Sequence, residues 1–292
     1  IIMNILIAGT NGFIGRNLKD HFEKKKVKIN TPKRDELNLL NSGEVSNYIK
    51  ENNFDIVIHS CVTLTSIEQN LKMYFNLEKL SQSFGKLICI GSGAEFDVKN
   101  YIPKMNEDYF DKHVPSKDDI YGFSKYEIAK DILKKKRNIF NLRVFGIFGK
   151  YEDYRRRLIS NNICKLLRGE NIVLNKNGCF DYMYVNDFSK IIEIFIKNEP
   201  KYSTYNTCTG NVIEFLSIAK IINQIDGRNK AIEIKHEGIN PEYSGDNSRF
   251  INEFGPMNLT SLQDAIKELY EWYKHHSKLK FDDKLFDTWI KN

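Results

Sequence analysis

The sequence predicts an α/β protein built on a doubly wound parallel sheet, and three observations carry that prediction. A short apolar run, Ile5-Leu6-Ile7-Ala8, breaks into three glycines spaced by two residues, Gly9, Gly12 and Gly15, and an amphipathic stretch begins at Phe13. Short apolar segments then alternate with segments of helical periodicity through the first half of the chain, the pattern of a sheet with crossover helices. One of these segments, Leu87-Ile88-Cys89-Ile90 after Lys86, is continuously apolar, as a strand covered on both faces requires.

The first segment reads as strand, tight turn and helix. The backbone N–H groups of the turn and the helix N-terminus converge on one point. Such a point suits the pyrophosphate of a dinucleotide, because glycines let the backbone approach and the helix dipole favours anions. Residues 27–30 read as a second strand, ending at Asn30 and Thr31 with Lys33 and Arg34 just beyond. An acidic residue there accepts from the 2′-hydroxyl of NAD, whereas a basic one accommodates the 2′-phosphate of NADP. Lys33 and Arg34 therefore favour NADP(H) over NAD(H), the alternative being that both are solvated loop charges.

A helix is expected over 43–51, and a third strand with its exit over 54–61. A helix over 66–84 follows from the spacing of Ile67, Leu71, Tyr74, Leu77, Leu80 and Phe84. The strand at 86–90 ends in Gly91-Ser92-Gly93-Ala94-Glu95-Phe96. Ligands of doubly wound sheets sit off the carboxyl ends of the strands, and Ser92 lies at such an end. Residues 97–120 are polar and carry Pro103 and Pro115, which reads as a loop over the site. The next helix, from Ile120 to Lys130, places Tyr121 and Lys125 on one face, one turn apart, and a strand is expected at 139–144. Beyond residue 150 the alternation is less regular. Helices are expected near 158–168, 187–197, 213–225 and 260–275, with strand-like runs at 171–174 and 180–187. The change in texture divides the chain into a dinucleotide-binding domain, 1–150 joined by parts of 180–210, and a mainly substrate-binding domain, 151–292.

At 292 residues, with 41% hydrophobic and 28% charged residues, the chain has the composition of a soluble globular protein. Its net charge of +6 comes mainly from lysines scattered along helices, with one compact run at Arg155-Arg156-Arg157. That excess is compatible with an anionic small ligand, and no basic stripe interleaved with aromatics points to nucleic acid. Cys61, Cys89, Cys164, Cys179 and Cys208 are far apart and odd in number. They read as buried thiols of a cytoplasmic protein rather than disulfides or metal ligands. No apolar stretch approaches the roughly 18 residues of a membrane span.

The order of the pieces resembles the extended short-chain dehydrogenase/reductase family, whose members act on nucleotide-linked sugars. The matching residues are Gly9-x-x-Gly12-x-x-Gly15, Asp55-Ile-Val-Ile-His59, Ser92 with Ala94 and Phe96, and Tyr121-x-x-x-Lys125. Further matches are Leu142 to Gly149, Asp181 to Asp187, and Asp246 to Phe250. Arg34-Asp35-Glu36-Leu37-Asn38-Leu39-Leu40 is similar to the NADPH-dependent GDP-fucose synthase branch, which reduces a 4-keto sugar. The resemblance implies a Rossmann-type domain with a smaller C-terminal α/β substrate domain. It also implies a homodimer pairing helices 66–84 and 121–136 in a four-helix interface. The cofactor contacts it implies are Gly9, Asn11, Gly12, Phe13, Ile14, Gly15, Lys33, Arg34, Asn38, Leu39, Ser60, Cys61, Tyr121 and Lys125.

Departures from the family pattern are informative. The Ser/Thr-Asp-Glu triplet of the 4,6-dehydratases is absent, since Gly93 and Ala94 follow Ser92. Fucose synthases carry a Cys at the position of Ala94 and a His near Ser160 to Asn162; neither is here, so 3,5-epimerisation by that route is not expected. Phe180 stands where many relatives have an Arg that contacts the substrate diphosphate, which leaves Arg249 or one of Arg155 to Arg157 to supply that charge. Glu95 is unusual in its loop, and reads equally as an exposed charge or as an acceptor for a sugar hydroxyl. With Ser92, Phe96, Arg155, Phe180 and Arg249 it completes the substrate-contact set.

A free phenol has a pKa near 10, and Lys125 together with the nicotinamide would favour its phenolate, so Tyr121 can act as acid or base. Ser92 would hydrogen-bond the same substrate oxygen as charge develops on it. The expected function is NADPH-dependent reduction of a 4-keto nucleotide-diphosphate sugar for surface polysaccharide. The alternatives are an NAD-retaining nucleotide-sugar epimerase and a non-catalytic dinucleotide-binding protein.

Overall fold

A computed structural model describes residues 2–135 and 138–276; the end of the expected C-terminal domain, 277–292, and residue 136 of the expected dimer helix lie outside the described residues. The chain opens with β1 (Asn4–Ala8), α1 (Phe13–Phe22), β2 (Lys28–Asn30), α2 (Ser42–Asn52), β3 (Ile56–His59), α3 (Ile67–Glu78) and β4 (Lys86–Ser92). It continues with α4 (Ile120–Lys134), β5 (Ile139–Val144), β6 (Gly146–Phe148), α5 (Leu158–Leu167), β7 (Ile172–Asn177) and β8 (Cys179–Tyr184). Then follow α6 (Val185–Lys197), β9 (Thr204–Asn206), β10 (Val212–Glu214), α7 (Phe215–Asp226), β11 (Ile232–Ile239), α8 (Ser248–Phe254) and α9 (Leu262–His276).

Six strands form one sheet in the order β2-β1-β3-β4-β5-β9, with every neighbouring pair parallel. The chain leaves β1 for β2 on one side and later crosses to β3 on the other. The crevice off the carboxyl ends of β1 and β3 is therefore a topological switch point. Side chains along each strand alternate between two apolar layers. Ile5, Ile7, Ile56, Ile58, Ile88 and Ile90 pack with Phe188, Ile192 and Phe195 of α6, whereas Leu6, Val57, Leu87 and Cys89 pack with Val45, Tyr74, Leu77, Ile128 and Ile132 on the other face. Two apolar faces on one strand produce the continuous hydrophobic runs of the sequence.

Several elements differ from the expectation. The helix expected over 66–84 ends at Glu78 and is followed by a short 3-10 turn at Ser81–Ser83, so Leu80 and Phe84 pack from irregular chain. The helix expected from residue 187 begins at Val185, and residues 212–214 ahead of α7 form a strand. β9 and β10 are three residues each, too short to show a period.

The second apolar unit gathers α5, β7, α7 and α9 around Ile163, Leu166, Ile218, Ile222, Ile266 and Leu269. Strands β10, β8 and β6 form one small sheet, and β11 pairs with β7. Inside this unit Glu152 is buried, accepts from the Ser160 hydroxyl through Oε1, and has no hydrogen-bond partner at Oε2 among the described residues. Burial pushes its carboxyl up to about 8, opposed by the Ser160 bond and by Arg157. The two units are stitched at α1. Asn17 Nδ2 donates to Phe13 O at 2.9 Å and to Lys150 O at 2.8 Å, and the Tyr151 hydroxyl donates to Asp20 at 2.8 Å.

Candidate active site

The glycine turn leaves β1 through Gly9 at φ +97°, a conformation open to glycine. A Cβ at Gly9 would stand 2.7 Å from Ser60 Oγ and 2.9 Å from the Cys61 nitrogen, and one at Gly15 would stand 2.2 Å from Gly9 O. Those two glycines are demanded by the fold. Gly12 is different: a Cβ there meets nothing nearer than 3.4 Å. Gly12 is exposed and caps α1 without any side-chain bond to the helix amides. Its bare backbone faces outward at the switch point, a cradle that fits the pyrophosphate of a dinucleotide.

Around this cradle, Asn11 is exposed, while half-buried Phe13 and Ile14 pack against the second unit and the sheet respectively. Ser60 Oγ donates to Ala8 O at 2.7 Å, tying the exit of β3 to β1. Burial pushes the Cys61 thiol up to about 12, so it stays protonated beside the cleft. At the end of β2, Asn30 donates to Asn4 Oδ1 at 2.7 Å, and Lys33 and Arg34 are exposed. Asn38 Oδ1 accepts from Leu40 N at 3.1 Å, and the buried Leu39 offers its carbonyl to Asn76 Nδ2 at 2.7 Å. Asn38 and Leu39 support the loop in this structure.

At the sheet's centre, Ser92 ends β4 and its Oγ accepts from Ala94 N at 3.1 Å. Helix α4 begins directly against this turn. Asp119 caps it by accepting from Gly122 N at 2.9 Å, and a Cβ on Gly122 would stand 2.7 Å from Ala94 O. Glycine at 122 thus brings Tyr121 to the Ser92 turn. Lys125 is buried, donates to Ile90 O at 2.5 Å, and holds its ammonium 5.7 Å from the centre of the Tyr121 ring. His59 lies nearby with Nδ1 unpartnered among the described residues. Burial, and secondarily the Lys125 charge, lowers its pKa to about 3, so it is neutral.

Sequence reasoning missed two aromatic walls. The Tyr243 hydroxyl sits against Gly93, 2.6 Å from where a Cβ would be, and interacts with the Ser92 side chain; burial raises its pKa well above the ordinary phenol value. Tyr101 stacks on Tyr243 at 5.1 Å between centroids. The loop carrying Tyr101 is fastened by Met105 N donating to Ser244 O and Asp246 N donating to Met105 O. No spacing rule links residue 101 to residue 243.

The remaining substrate candidates are placed as follows. Glu95 is not an exposed charge: it is buried, and both carboxylate oxygens are taken by Asn141 and Arg143. Phe96 is buried beneath the turn, with the Arg143 guanidinium 4.6 Å from its ring centre. Phe180 packs edge-on to Phe215 at 4.8 Å and Tyr243 at 5.0 Å. Arg155 pairs with Asp153 at 2.9 Å near the surface. Arg249 is engaged by Asp108 at 3.1 Å and by Thr204 O at 3.1 Å. Among the described residues there is no group of His, Cys, Asp and Glu able to hold a metal ion, and no helix is long and apolar enough to cross a membrane.

Residues 5–208 match the model of the NAD dependent epimerase/dehydratase family. The chain is similar to GDP-L-colitose synthase of Yersinia pseudotuberculosis, 20% identical over 302 residues that cover 93% of this chain and 98% of that one. It is also similar to GDP-6-deoxy-D-talose 4-dehydrogenase of Aggregatibacter actinomycetemcomitans, 23% identical with 92% and 97% covered. Among solved structures, the GDP-mannoheptose C4 reductase of Campylobacter jejuni with NADP bound superposes with a TM-score of 0.80 at 19% identity, covering 94% of this chain and 98% of that one. At that identity the likeness shows a shared Rossmann-type fold.

Proposed function

The chain belongs to the NAD dependent epimerase/dehydratase family, an oxidoreductase of the extended short-chain type, and we propose that it reduces the 4-keto group of a nucleotide-diphosphate sugar with NADPH. The observation that carries this reading is the assembly of Ser92, Tyr121 and Lys125 at the carboxyl end of β4 beside the glycine cradle. The names of the relatives support it, since they include a synthase and a 4-dehydrogenase of GDP-sugars and a C4 reductase.

Bound in the cradle, the nicotinamide cofactor supplies the hydride for the sugar's carbonyl carbon. Tyr121 gives its phenolic proton to the carbonyl oxygen as that oxygen gains charge. Lys125, fixed by Ile90 O, keeps a positive charge near the Tyr121 ring and stabilises the phenolate left behind. Ser92 donates to the same oxygen, an interaction that strengthens toward the transition state. Exposed Lys33 and Arg34 would meet the 2′-phosphate of NADP. The substrate phosphates fall to exposed Arg156 or Arg157, because Phe180 is packed among aromatic rings and both Arg249 and Arg155 are held by acidic partners. Such an activity serves the cytoplasmic synthesis of surface-polysaccharide sugars, in a homodimer pairing α3 and α4.

The test is NADPH and, separately, NADH consumption with 4-keto nucleotide-sugars generated in situ. Oxidation of NADPH by one of them supports the reductase and names its substrate class. Tightly bound NAD with no net consumption of either cofactor would replace this reading with an epimerase.

A further inference from the structure

Ser92 stands in a turn held from behind by a buried ion pair. Glu95, three residues on, returns its Oε1 to accept from Ser92 N at 2.9 Å. The same carboxylate accepts from Asn141 Nδ2 at 3.0 and 3.1 Å and from Arg143 Nε at 2.8 Å, with Arg143 Nη2 2.7 Å from Oε2. The Glu95 and Arg143 side chains are both 0% exposed. The guanidinium is 4.6 Å from the centre of the Phe96 ring and 5.3 Å from that of Phe110. Gly91 makes the room: a Cβ there would be 2.2 Å from Asn141 Oδ1 and 2.5 Å from Glu95 Oε1.

The bonds continue outward into both walls of the pocket. Arg143 Nη1 donates to Asn206 Oδ1 at 3.0 Å. Asn206 in turn donates from its backbone to Glu107 Oε1 at 2.8 Å, and from Nδ2 to Met105 O at 2.8 Å and Asp246 O at 2.9 Å. Packing alone does not require such a pair, because two apolar side chains of similar volume serve a buried site as well or better. An apolar residue at 95 has no oxygen for the Ser92 N–H, and an unneutralised carboxylate beside Ser92 would oppose negative charge growing on a nearby carbonyl oxygen.

We propose that the Glu95–Arg143 pair is a positioning device for Ser92: Glu95 fixes the Ser92 backbone so that its hydroxyl meets the substrate oxygen, and Arg143 cancels the charge this requires while tying Ser92 to the pocket walls. The proposal rests on the reading of Ser92 as a donor to that oxygen. Neither residue touches substrate; both act through Ser92.

The test is a double-mutant cycle between the pair and Ser92, with kcat and NADPH affinity as readouts. In Glu95→Leu/Arg143→Leu, kcat should fall about 100-fold with NADPH affinity unchanged, comparable to the loss in Ser92→Ala. Adding Ser92→Ala to the Leu/Leu protein should then cost less than about threefold more. Fully additive losses would overturn the proposal. Should the Leu/Leu protein not fold, Glu95→Gln serves, since its Oε1 still accepts from Ser92 N; it should lose less activity than Ser92→Ala and keep its sensitivity to that substitution, and a loss as large as that of Ser92→Ala overturns the proposal. Amide hydrogen exchange at Ser92 is read in parallel and needs no turnover. It should be slow in the wild type and in Glu95→Gln, and fast in the Leu/Leu protein; unchanged exchange in the Leu/Leu protein overturns the proposal. A wild type that reduces no 4-keto sugar removes the reductase reading and leaves the exchange result to decide whether Glu95 holds Ser92.

Discussion

Replacing Glu152 by Gln should flatten the alkaline loss of stability of this protein. The carboxyl is buried, its pKa is pushed up to about 8 in the folded state, and its ordinary value is 4.5. A folded-state pKa above the unfolded one means the native protein holds a proton that the unfolded chain releases. The associated stability is fully present below pH 4.5 and is lost as pH rises through 8. At about 1.4 kcal/mol per pH unit, the interval bounds the effect at about 5 kcal/mol, of which about 2 kcal/mol falls between pH 6.5 and 8.5. That upper window avoids His59, whose pKa is lowered to about 3, so that its own contribution is present above 6.5 and fades only as pH falls through 6.5 toward 3. The side-chain amide of Glu152→Gln reproduces the neutral acid: its carbonyl can accept from Ser160, as the Glu152 Oε1 does now. Urea unfolding of wild type and Glu152→Gln at half-unit pH steps gives both curves. Their difference should be smallest near pH 4.5, reach about 2 kcal/mol near pH 6 and widen by about 2 kcal/mol more between pH 6.5 and 8.5, with the variant the more stable. Parallel curves from 6.5 to 8.5 would falsify the assignment of a protonated Glu152.

The other predictions concern the site and its frame. Tyr121→Phe should abolish turnover while leaving cofactor affinity, measured by NADPH fluorescence, within about threefold of wild type; retained turnover removes Tyr121 from the proton transfer. Gly12→Ala should fold normally, at a cost below about 1 kcal/mol, yet weaken cofactor binding about tenfold or more, whereas Gly15→Ala should fail to reach native stability because its Cβ meets backbone. Equal thermal stabilities for these two variants would contradict the cradle. Changing both Lys33 and Arg34 to Ala should lower the NADPH-to-NADH preference about tenfold, read as the ratio of kcat/KM values, and an unchanged ratio would make them solvated loop charges. Lys86, buried at the start of β4, donates to Phe195 O at 3.3 Å, Ile196 O at 3.5 Å and Asn198 O at 2.5 Å, closing the end of α6. Lys86→Met should therefore cost about 2–4 kcal/mol in urea unfolding, and a change under about 1 kcal/mol would show that water replaces the amine.

What could be read from the sequence was whatever is encoded locally. The alternation of Ile5, Leu6 and Ile7 between two apolar layers is a property of five consecutive residues, and the strand was visible without its partners. The glycine turn and the Tyr121/Lys125 pair are likewise contained within one turn of chain. Glu95 shows the limit. Its sequence neighbours suggested a charge facing solvent or sugar, but its partner Arg143 is 48 residues away, and no local rule pairs them. Tyr243 reaches the Ser92 turn from a segment that pairs with Phe180, far off in the sequence, and escaped for the same reason. Strands β9 and β10 escaped because three residues hold no period, and the register of β9 comes from hydrogen bonds to β5. Gly122 was legible as a residue but not as a cause: that it brings α4 against Ala94 O needed the packed chain.

Asn17 gives the molecule an internal reference between its two units. One amide clasps Phe13 O within the helix that follows the glycine turn and Lys150 O just beyond β6, where the chain leads into the second unit. Under the proposed reaction, a sugar seated against that second unit would be indexed to the nucleotide through this one residue. Loosening the clasp would not announce itself as weak cofactor binding. If the proposed reduction holds, it would surface as hydride delivered from a cofactor correctly held to a carbonyl slightly out of register, with abortive NADPH oxidation or mixed stereochemistry at the new carbinol carbon as its trace.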